Sequence, residues 1–530
     1  MPEMWTQNYN PLGNPILSTI VAALPVTFLF YLLAVRKTTA WKSAVYAFLL
    51  GVALAVTLFG MPAHMVAGAV SAGLLYGIIR IIWVLLAAVF VYELTVESGH
   101  FETIKRSIGG ITDDKRLQAL LIAYAFGAVL EGAGGGGAPV AICASMMIGL
   151  GFPPFQAAVL CLIANTAPVA FGGMGNPVRT LVAVTGLPEM QISGTIGRIL
   201  PITSLFLPFW LIRAYTTTSK TLEVWPGLLA CGVIFAAIQF SWSNFVDAAL
   251  VDIMGGMGTL ILLAIFFKLW RPSASKSNLT TRQIVHAWSP FLILAVLVVA
   301  WGLPWIKPHL EATSFKIPVP GLHKLVQRVP PVVAAPMTEP AIIDIAWLES
   351  VGTPTFLAGL IAGPILGLSL KRTLEIFFKT CSRMRFSVIA IAAMLALGFL
   401  TRYCGMDATM GLAMSNTGWL FPFFGTMIGW LGVALSGTDA GSNALFGSLQ
   451  VITANKLGIS AVLMASANSA GGVMGKMIGA QSIIVACAAT KMEGREGDLF
   501  RVVIKHSIPL AAIIGLIVMA YAYWFPHLLP

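Results

Sequence analysis

The sequence predicts an all-α polytopic membrane protein with about 12 transmembrane helices plus two re-entrant hairpins in an inverted-topology repeat. Hydrophobic residues make up 58% of the 530 residues and Asp, Glu, Lys and Arg only 10%, whereas a soluble domain is about 25% charged. The mean hydropathy is +0.87, and apolar runs long enough to cross a bilayer recur from end to end. This composition excludes disordered, collagenous, disulfide-rich secreted and nucleic-acid-binding proteins.

Apolar windows of about 17–25 residues predict the spans. Two further stretches, 117–153 and 411–456, are apolar but interrupted by small residues, with centres that read EGAGGGGAP (131–139) and SGTDAGSNA (436–444). These two predict the hairpins. The twelve predicted spans lie near residues 15–35, 43–60, 66–96, 155–175, 197–212, 225–240, 247–268, 287–303, 354–370, 386–401, 459–480 and 506–525.

The net charge of +11 reflects the topology. If the amino terminus lies outside and each hairpin enters and leaves on one side, the inside loops carry 22 of the 32 Lys and Arg residues. Cytoplasmic loops of membrane proteins are enriched in these residues, so both termini are predicted to lie outside. The predicted inside loops are 36–42, 98–116, 213–224, 268–286, 371–385 and 491–505.

In this layout the first hairpin opens to the inside and the second to the outside. Each precedes a span with a similar broken motif, ANTAPVAFGGMG (164–175) or ANSAGGVMGKMIG (467–479). Two units of opposite orientation are the usual construction of secondary transporters, although Gly- and Ala-rich segments also resemble one another by chance. We expect a single transmembrane transporter domain, residues 1–530, with repeat units at about 66–240 and 354–525.

The cysteines and the amino terminus predict no further feature. No spacing among the six cysteines resembles a metal site or a disulfide framework. The opening MPEMWTQNYNP has no basic region and no clear cleavage site, which predicts a retained first span rather than a signal peptide. The sequence has no phosphate-binding loop, Ser-His-Asp set or zinc spacing. We therefore expect a protein that is not an enzyme, needs no cofactor or metal, and is driven by an ion gradient.

Four consecutive glycines at the first tip predict a binding site. Irregular backbone at membrane depth has to line an enclosed cavity, and glycine lets the backbone come close to a ligand. Helix amino termini at such a tip favour a carboxylate. The alternative is close helix packing through small residues. The candidate substrate-binding glycines are Gly134, Gly135, Gly136 and Gly137.

Ionisable side chains at membrane depth are rare and are candidates for function. Glu131 and Asp439 lie at the two tips and are the candidate proton-coupling residues, since a desolvated carboxylate can carry a proton. Alternatively, each acid caps exposed amides or pairs with a base.

Two cations also lie at membrane depth. Lys476 is a candidate to bind a substrate carboxylate, or it extends to the cytoplasmic interface. Arg80 lies in mid-span, and we expect a structural ion pair there, with Glu93 and Glu97 nearer the inner end of its span.

Neutral polar side chains near the tips and breaks offer hydrogen bonds suited to a hydroxyl and a carboxylate. Their alternative role is hydrogen bonding between helices. These candidate substrate-binding residues are Asn165, Thr166, Ser442, Asn443, Asn468 and Ser469.

At these motifs the chain resembles the lactate permease family, bacterial symporters of lactate and glycolate with protons, over nearly its whole length. It is also similar to the wider ion-transporter superfamily, whose members carry organic anions through broken-helix sites. The matching segments are WTQNYNP (5–11), AAVFVYE (87–93), EGAGGGGAPVAI (131–142), CLIANTAPVAFGGMG (161–175), IPVPGLHKLV (317–326), PPVV (330–333), GWLGVALSGTDAGSNALFGSLQ (429–450), ANSAGGVMGKMI (467–478) and DLFR (498–501).

The chain departs from the family pattern at two places. The first tip of the family reads Glu-Gly-Ala-Ala-Gly-Phe-Gly-Ala-Pro, so Gly134 replaces an alanine and Gly136 the phenylalanine. After Ile478 the family continues Ser-Pro-Gln-Ser, where this chain has Gly479 and Ala480 before Gln-Ser. Both departures bear on substrate size and on coupling.

The resemblance implies a secondary active transporter in the bacterial plasma (inner) membrane, a multi-pass symporter of protons with L-lactate and related 2-hydroxymonocarboxylates such as glycolate. The alternative is a sodium-coupled carrier of small di- and monocarboxylates. An anion channel or a non-transporting scaffold is disfavoured, because inverted hairpins serve alternating access. The expected partners are lactate or glycolate, protons and membrane lipid, without nucleic acid; assembly into a homo-oligomer is left open.

Overall fold

Helices dominate the computed structural model, which describes residues 4–36, 38–133, 138–270, 279–303, 305–333, 335–492 and 495–530. Within these residues, 11 helices are long and apolar enough to cross a membrane, or up to 13 if each of two bent helix pairs forms one span. The prediction of an all-α polytopic membrane protein is therefore confirmed. The inverted orientation of the two repeat units stays a prediction.

The first helices begin at capping residues. The Asn14 side chain accepts hydrogen bonds from the amides of Ile16 (2.9 Å) and Leu17 (3.2 Å), with proline at the first helical position. Helices α3 and α4 join through a π-helical segment, Gly77–Ile82, into one long span. The helices of this part are α1 (Pro15–Phe30, extended by a π-helical turn at Tyr31–Val35), α2 (Ala40–Thr57), α3 (Ala63–Tyr76), α4 (Trp83–Glu97) and the amphipathic α5 (His100–Gly109).

The first predicted hairpin and broken span follow. The first arm of the hairpin consists of α6 (Lys115–Ala119), a π-helical segment (Leu120–Phe126) and α7 (Gly127–Ala133), and its second arm is α8 (Ala138–Gly149). The broken span consists of α9 (Pro154–Ala164) and α10 (Gly172–Thr185). The two halves of the broken span are bent by 62°. Gly173, Met174 and Gly175 have positive φ angles of 53°, 58° and 76°, a region that favours glycine. The break therefore lies inside the predicted motif 164–175.

Long helices connect the two halves of the chain. Thr280 and Gln283 form a capping box at the start of α15, because the Gln283 amide donates to the Thr280 hydroxyl and the Thr280 amide donates to the Gln283 side chain. The helices of this part are α11 (Glu189–Tyr215), α12 (Thr218–Leu222), α13 (Trp225–Phe245), α14 (Val251–Trp270), α15 (Thr281–Gly302) and α16 (Lys307–Glu311).

Short strands pair within the long predicted outer loop and with the amino-terminal segment, and the sequence analysis did not predict them. The strands are β1 (Trp5–Thr6), β2 (Phe315–Pro318), β3 (Val326–Arg328), β4 (Met337–Thr338) and β5 (Ile342–Ile345). Strand β3 pairs in parallel with β1 and antiparallel with β4, while β2 and β5 form a second antiparallel pair. Buried Glu339 contacts Arg328 within the loop at 2.6 Å and Arg402 at 3.1 Å, so the ion pair with Arg402 joins this loop to the helices.

The second half contains the second predicted hairpin and a second bent helix pair. Its helices are α17 (Gly352–Ile365), α18 (Leu370–Cys404), α19 (Met406–Met414), α20 (Phe421–Ser436), α21 (Asp439–Leu457), α22 (Ala461–Gly475), α23 (Ala480–Ala489) and α24 (Glu496–Tyr523). The bend between α22 and α23 is 40°. It follows a short 3₁₀ turn, Lys476–Ile478, so most of the predicted broken motif 467–479 is helical.

A kink lies within the second predicted hairpin. Gly418, inside the 3₁₀ segment Ser415–Leu420, has a φ of 57°, and α20 then begins at Phe421 with proline at its second position. The bounds of this hairpin, 411–456, stay a prediction, since Met406–Ser436 is also long and apolar enough to form one span. The predicted span 354–370 ends early, at Ile365, before Gly367 with a φ of 84°.

The predicted loop 371–385 is helical, because it forms the first turns of α18. Ser369 caps this helix by accepting from the Arg372 amide at 3.2 Å. Its cations pair with acids of α4: Arg372 contacts Glu97 at 3.0 Å, and Arg383 pairs with Glu93. The charged residues of this segment therefore belong to a helix that extends beyond the apolar run, and not to a loop.

Helices α20 and α22 pack backbone against backbone. A Cβ atom placed on Gly429 would overlap the carbonyl of Asn468, and one on Gly471 would overlap the carbonyl of Thr426. Only glycine allows this approach, which brings the second tip against the second bent span.

We expect Gly429→Ala to destabilise the protein by about 1–3 kcal/mol, because the new methyl group has to push α22 away. Gly497→Ala is the matched control, since nothing lies within 4 Å of a Cβ at that position. Thermal unfolding in detergent measures both variants. If Gly429→Ala is as stable as the control, the close packing of these two helices is contradicted.

Candidate functional site

A cavity of about 610 Å³ lies where the two predicted hairpin tips meet the two bent spans. Glu131 from the first tip, Asp439 from the second and Lys476 from the second bent span all line it. The three charged candidates from the two tips and the second bent span therefore converge on one site, although they are far apart in the sequence.

Glu131 joins the first tip to the first break. It lies in the last turn of the first arm, is 3% exposed, and its Oε2 accepts a hydrogen bond from Asn165 Nδ2 at 2.9 Å. Its Oε1 lies 2.7 Å from the position that a Cβ on Gly172 would occupy. The first glycine of α10 thus leaves room for this carboxylate.

Asp439 joins the second tip to the second bent span. Its Oδ2 accepts from the Ser469 hydroxyl and from Asn443 Nδ2 at 3.4 Å, while its Oδ1 has no hydrogen-bond partner in the part of the chain that the structure describes. The cap of α21 is Thr438, whose hydroxyl accepts from the Gly441 amide at 3.0 Å. The alternative that Asp439 itself caps the tip amides is therefore wrong.

Lys476 is held at membrane depth by the second tip. Its side chain is buried, with 3% exposure, and Nζ donates to the carbonyl of Gly437 at 2.7 Å. It lies within electrostatic range of both Glu131 and Asp439. The alternative that this side chain extends to the cytoplasmic interface is wrong, because its ammonium group bonds the tip.

A buried amide network supports the second tip. Asn468 Nδ2 donates to Asn443 Oδ1 at 2.8 Å and to Ser442 Oγ at 3.3 Å, and Gln450 Nε2 donates to Asn468 Oδ1 at 3.1 Å. Asn443 also donates to the carbonyl of Pro177, next to the first break, at 3.1 Å. This network connects the second hairpin to both bent spans.

Six predicted neutral residues lie behind the cavity wall rather than on it. The Thr166 hydroxyl donates to the carbonyl of Ile163 at 2.8 Å, and Asn165 Oδ1 has no hydrogen-bond partner. Their role in binding substrate stays a prediction. The six are Asn165, Thr166, Ser442, Asn443, Asn468 and Ser469. The candidate glycines Gly134, Gly135, Gly136 and Gly137 lie outside the described residues.

Side chains that the sequence analysis missed donate hydrogen bonds to backbone carbonyls near the two breaks. Gln239 Nε2 donates to the carbonyl of Ala167 at 3.0 Å, Arg179 donates to the carbonyl of Met174, and the Ser507 hydroxyl donates to the carbonyl of Met474 at 2.6 Å. Carbonyls freed by a break would otherwise be costly in the membrane.

The sequence analysis missed two further polar residues in this region. Asn176 lines the cavity, and its buried Oδ1 has no hydrogen-bond partner among the described residues. Asp252 does not line the cavity but is fully buried in α14, where neither carboxyl oxygen has a described partner. An acid inside the predicted span 247–268 was a signal that could have found Asp252.

The cavity opens toward the predicted inner side. Trp41, from the predicted inside loop 36–42, and Arg383 both line it. Arg383 pairs with Glu93 at this mouth, and Glu97 pairs with Lys379. The two acids expected near Arg80 are thus bonded to α18, and the side chain of Arg80 itself lies outside the described residues.

Comparison with known proteins gives a consistent result. The family model described as L-lactate permease matches residues 18–525. The chain is 42% identical to "Glycolate permease GlcA" of Escherichia coli (strain K12), over 99% of each chain. It is 40% identical to an "L-lactate permease" of Salmonella typhimurium, over 100% of each chain. The solved structure of Neisseria gonorrhoeae MtrF is 13% identical with a TM-score of 0.42, and covers 87% of this chain and 83% of that one; a likeness this weak supports no conclusion.

Proposed function

The chain belongs to the L-lactate permease family, and we propose that it is a secondary active transporter of L-lactate and related 2-hydroxymonocarboxylates such as glycolate, coupled to a proton. It is a multi-pass protein of the bacterial inner membrane. The names of its relatives, L-lactate permease and glycolate permease, support this substrate class. They also support transport without chemical change of the substrate.

The balance of charge in the cavity supports coupling to a proton. Lys476 faces two carboxylates, Glu131 and Asp439. The other described cation that lines the cavity, Arg383, is paired with Glu93 at the mouth. The inner part of the site therefore carries one excess negative charge when both acids are ionised. A substrate carboxylate would add another beside two buried carboxylates, which is costly, and a proton on one acid removes that cost.

We propose distinct roles for the residues. Lys476 and the tip amides hold the substrate carboxylate, with the unpaired Oδ1 of Asn176 available to accept from its hydroxyl. Glu131 carries the proton, because it lines the cavity and lies at the junction of a tip and a break. Asp439 is the second proton-coupling candidate. The amide network behind it orients the second tip and comes within reach of substrate as the site closes.

Uptake of radiolabelled L-lactate into proteoliposomes tests the function. We expect accumulation under an inward proton gradient, no accumulation under a sodium gradient of equal size, and no competition from succinate or citrate. Protein-free liposomes are the control. Accumulation driven by sodium and insensitive to pH would instead establish the sodium-coupled alternative, for which the unpaired oxygens of Asn165 and Asp439 offer ligands.

A further inference from the structure

A second buried carboxyl group lies beside the first tip, outside the cavity. Asp252, at the start of α14, is 0% exposed, and neither of its oxygens has a hydrogen-bond partner among the described residues. Helix α14 reaches the tip because Gly132 has no side chain: a Cβ there would lie 2.9 Å from Asp252 Cβ and 3.0 Å from the amide nitrogen of Ile253. Glu131, the preceding residue in the sequence, lies within electrostatic range of Asp252.

The surroundings of the two carboxyl groups differ. Glu131 accepts a hydrogen bond from Asn165 and faces Lys476, so it has both a donor and a cation as partners. Asp252 has neither a donor nor a cation among the described side chains. The amino terminus of α14 favours a negative charge, but this effect is smaller than the cost of burying an unpaired carboxylate.

The other titratable groups on the helices around α14 are engaged elsewhere or neutral. Tyr124, on the first arm, donates to the carbonyl of Ser204 at 2.9 Å. Arg179, on α10, contacts Asp247 and Glu189 at 3.4 Å each. On α13 the buried Cys231 is a free thiol, and on α15 His286 contacts the carbonyl of Ile365 at 2.8 Å. Among the described residues, Glu131 is therefore the charged group that acts on Asp252, and two carboxylates close together at low dielectric do not both ionise.

We propose that Asp252 is a second proton-binding site, which holds a proton behind Glu131 where cavity water does not reach it. This inference rests on the proposed function, in which Glu131 exchanges the transported proton with the cavity. The protonated Asp252 keeps the region behind the tip neutral while Glu131 is ionised. It also supplies an O–H donor beside the tip.

Infrared difference spectroscopy of the full-length protein in lipid tests this assignment. A protonated carboxyl group has a C=O stretch that a carboxylate lacks, and the spectrum of each variant is subtracted from that of the wild type. We expect Asp252→Asn to lose one carboxylic acid band and Glu131→Gln to keep it. Thr259→Val is the matched control, because Thr259 lies on the same helix and is equally buried with an unpaired hydroxyl.

The outcomes separate this assignment from the proposed function. A band that survives in Asp252→Asn, or that Glu131→Gln removes as completely, would overturn the proton site at Asp252 without affecting lactate transport by the wild type. Loss of the band in Thr259→Val would overturn it as well, since the band would then report general disturbance of α14. Failure of the proposed function would show instead in wild-type uptake, where no proton-driven accumulation would occur.

Discussion

Replacing Lys476 by methionine is expected to weaken L-lactate binding by roughly 100-fold, since removing one partner of a buried charge pair costs about 3 kcal/mol or more. The side chain is buried and faces both acids of the cavity. Without it, the substrate carboxylate meets two acids and no free cation among the described residues of the site. Equilibrium binding of labelled lactate to the purified protein measures the effect.

Two further variants make the Lys476 result interpretable. Lys105→Met is the control, because Lys105 lies on the interfacial helix α5 and pairs there with Glu102. If Lys476→Met unfolds, Asp439→Asn in the same chain removes one of the repelling carboxylates and is expected to restore folding without restoring affinity. Wild-type affinity in folded Lys476→Met would contradict the role of this cation.

Glu131→Gln is expected to abolish accumulation of lactate under a proton gradient while exchange of lactate across the membrane continues. A gradient of one pH unit is worth about 1.4 kcal/mol, or a roughly tenfold lactate ratio, in a carrier that couples a proton to each lactate. Glutamine resembles the protonated acid, so the loaded carrier still crosses. The ratio is expected to fall to about 1 in the variant because no proton is exchanged.

The control variant makes the same change, glutamate to glutamine, at the protein surface. Glu102→Gln, at an exposed position on α5, is expected to accumulate lactate as the wild type does. Counterflow of labelled against unlabelled lactate reports whether Glu131→Gln is folded and competent. Proton-driven accumulation by a competent Glu131→Gln would assign coupling to another residue, with Asp439 the next candidate.

Scarcity of charge made the main features of the site predictable. Glu131, Asp439 and Lys476 were among few ionisable residues inside apolar stretches, and the structure places all three on one cavity. The first break was also predictable, because Pro168 and the glycines around Met174 cannot continue a helix. Local sequence therefore identified both the charged residues and one of the two breaks.

Features that depend on tertiary packing were not predictable. The motif ANSAGGVMGKMIG has as many small residues as the first, yet it stays helical up to Gly475 because α20 packs closely on its glycines. Asp252 gains its importance only from the approach of α14 to Gly132. Likewise, the role of Gln239 arises because α13 passes the freed carbonyl of Ala167.

The central claim is that lactate and a proton cross together. Proteoliposomes that contain the wild-type protein and a trapped pH-sensitive dye, with no gradient imposed, test it most directly when lactate is added outside. We expect the interior to acidify as lactate enters, by a proton for each lactate, at a rate independent of sodium and of membrane potential. Entry of labelled lactate without acidification of the interior would contradict the claim.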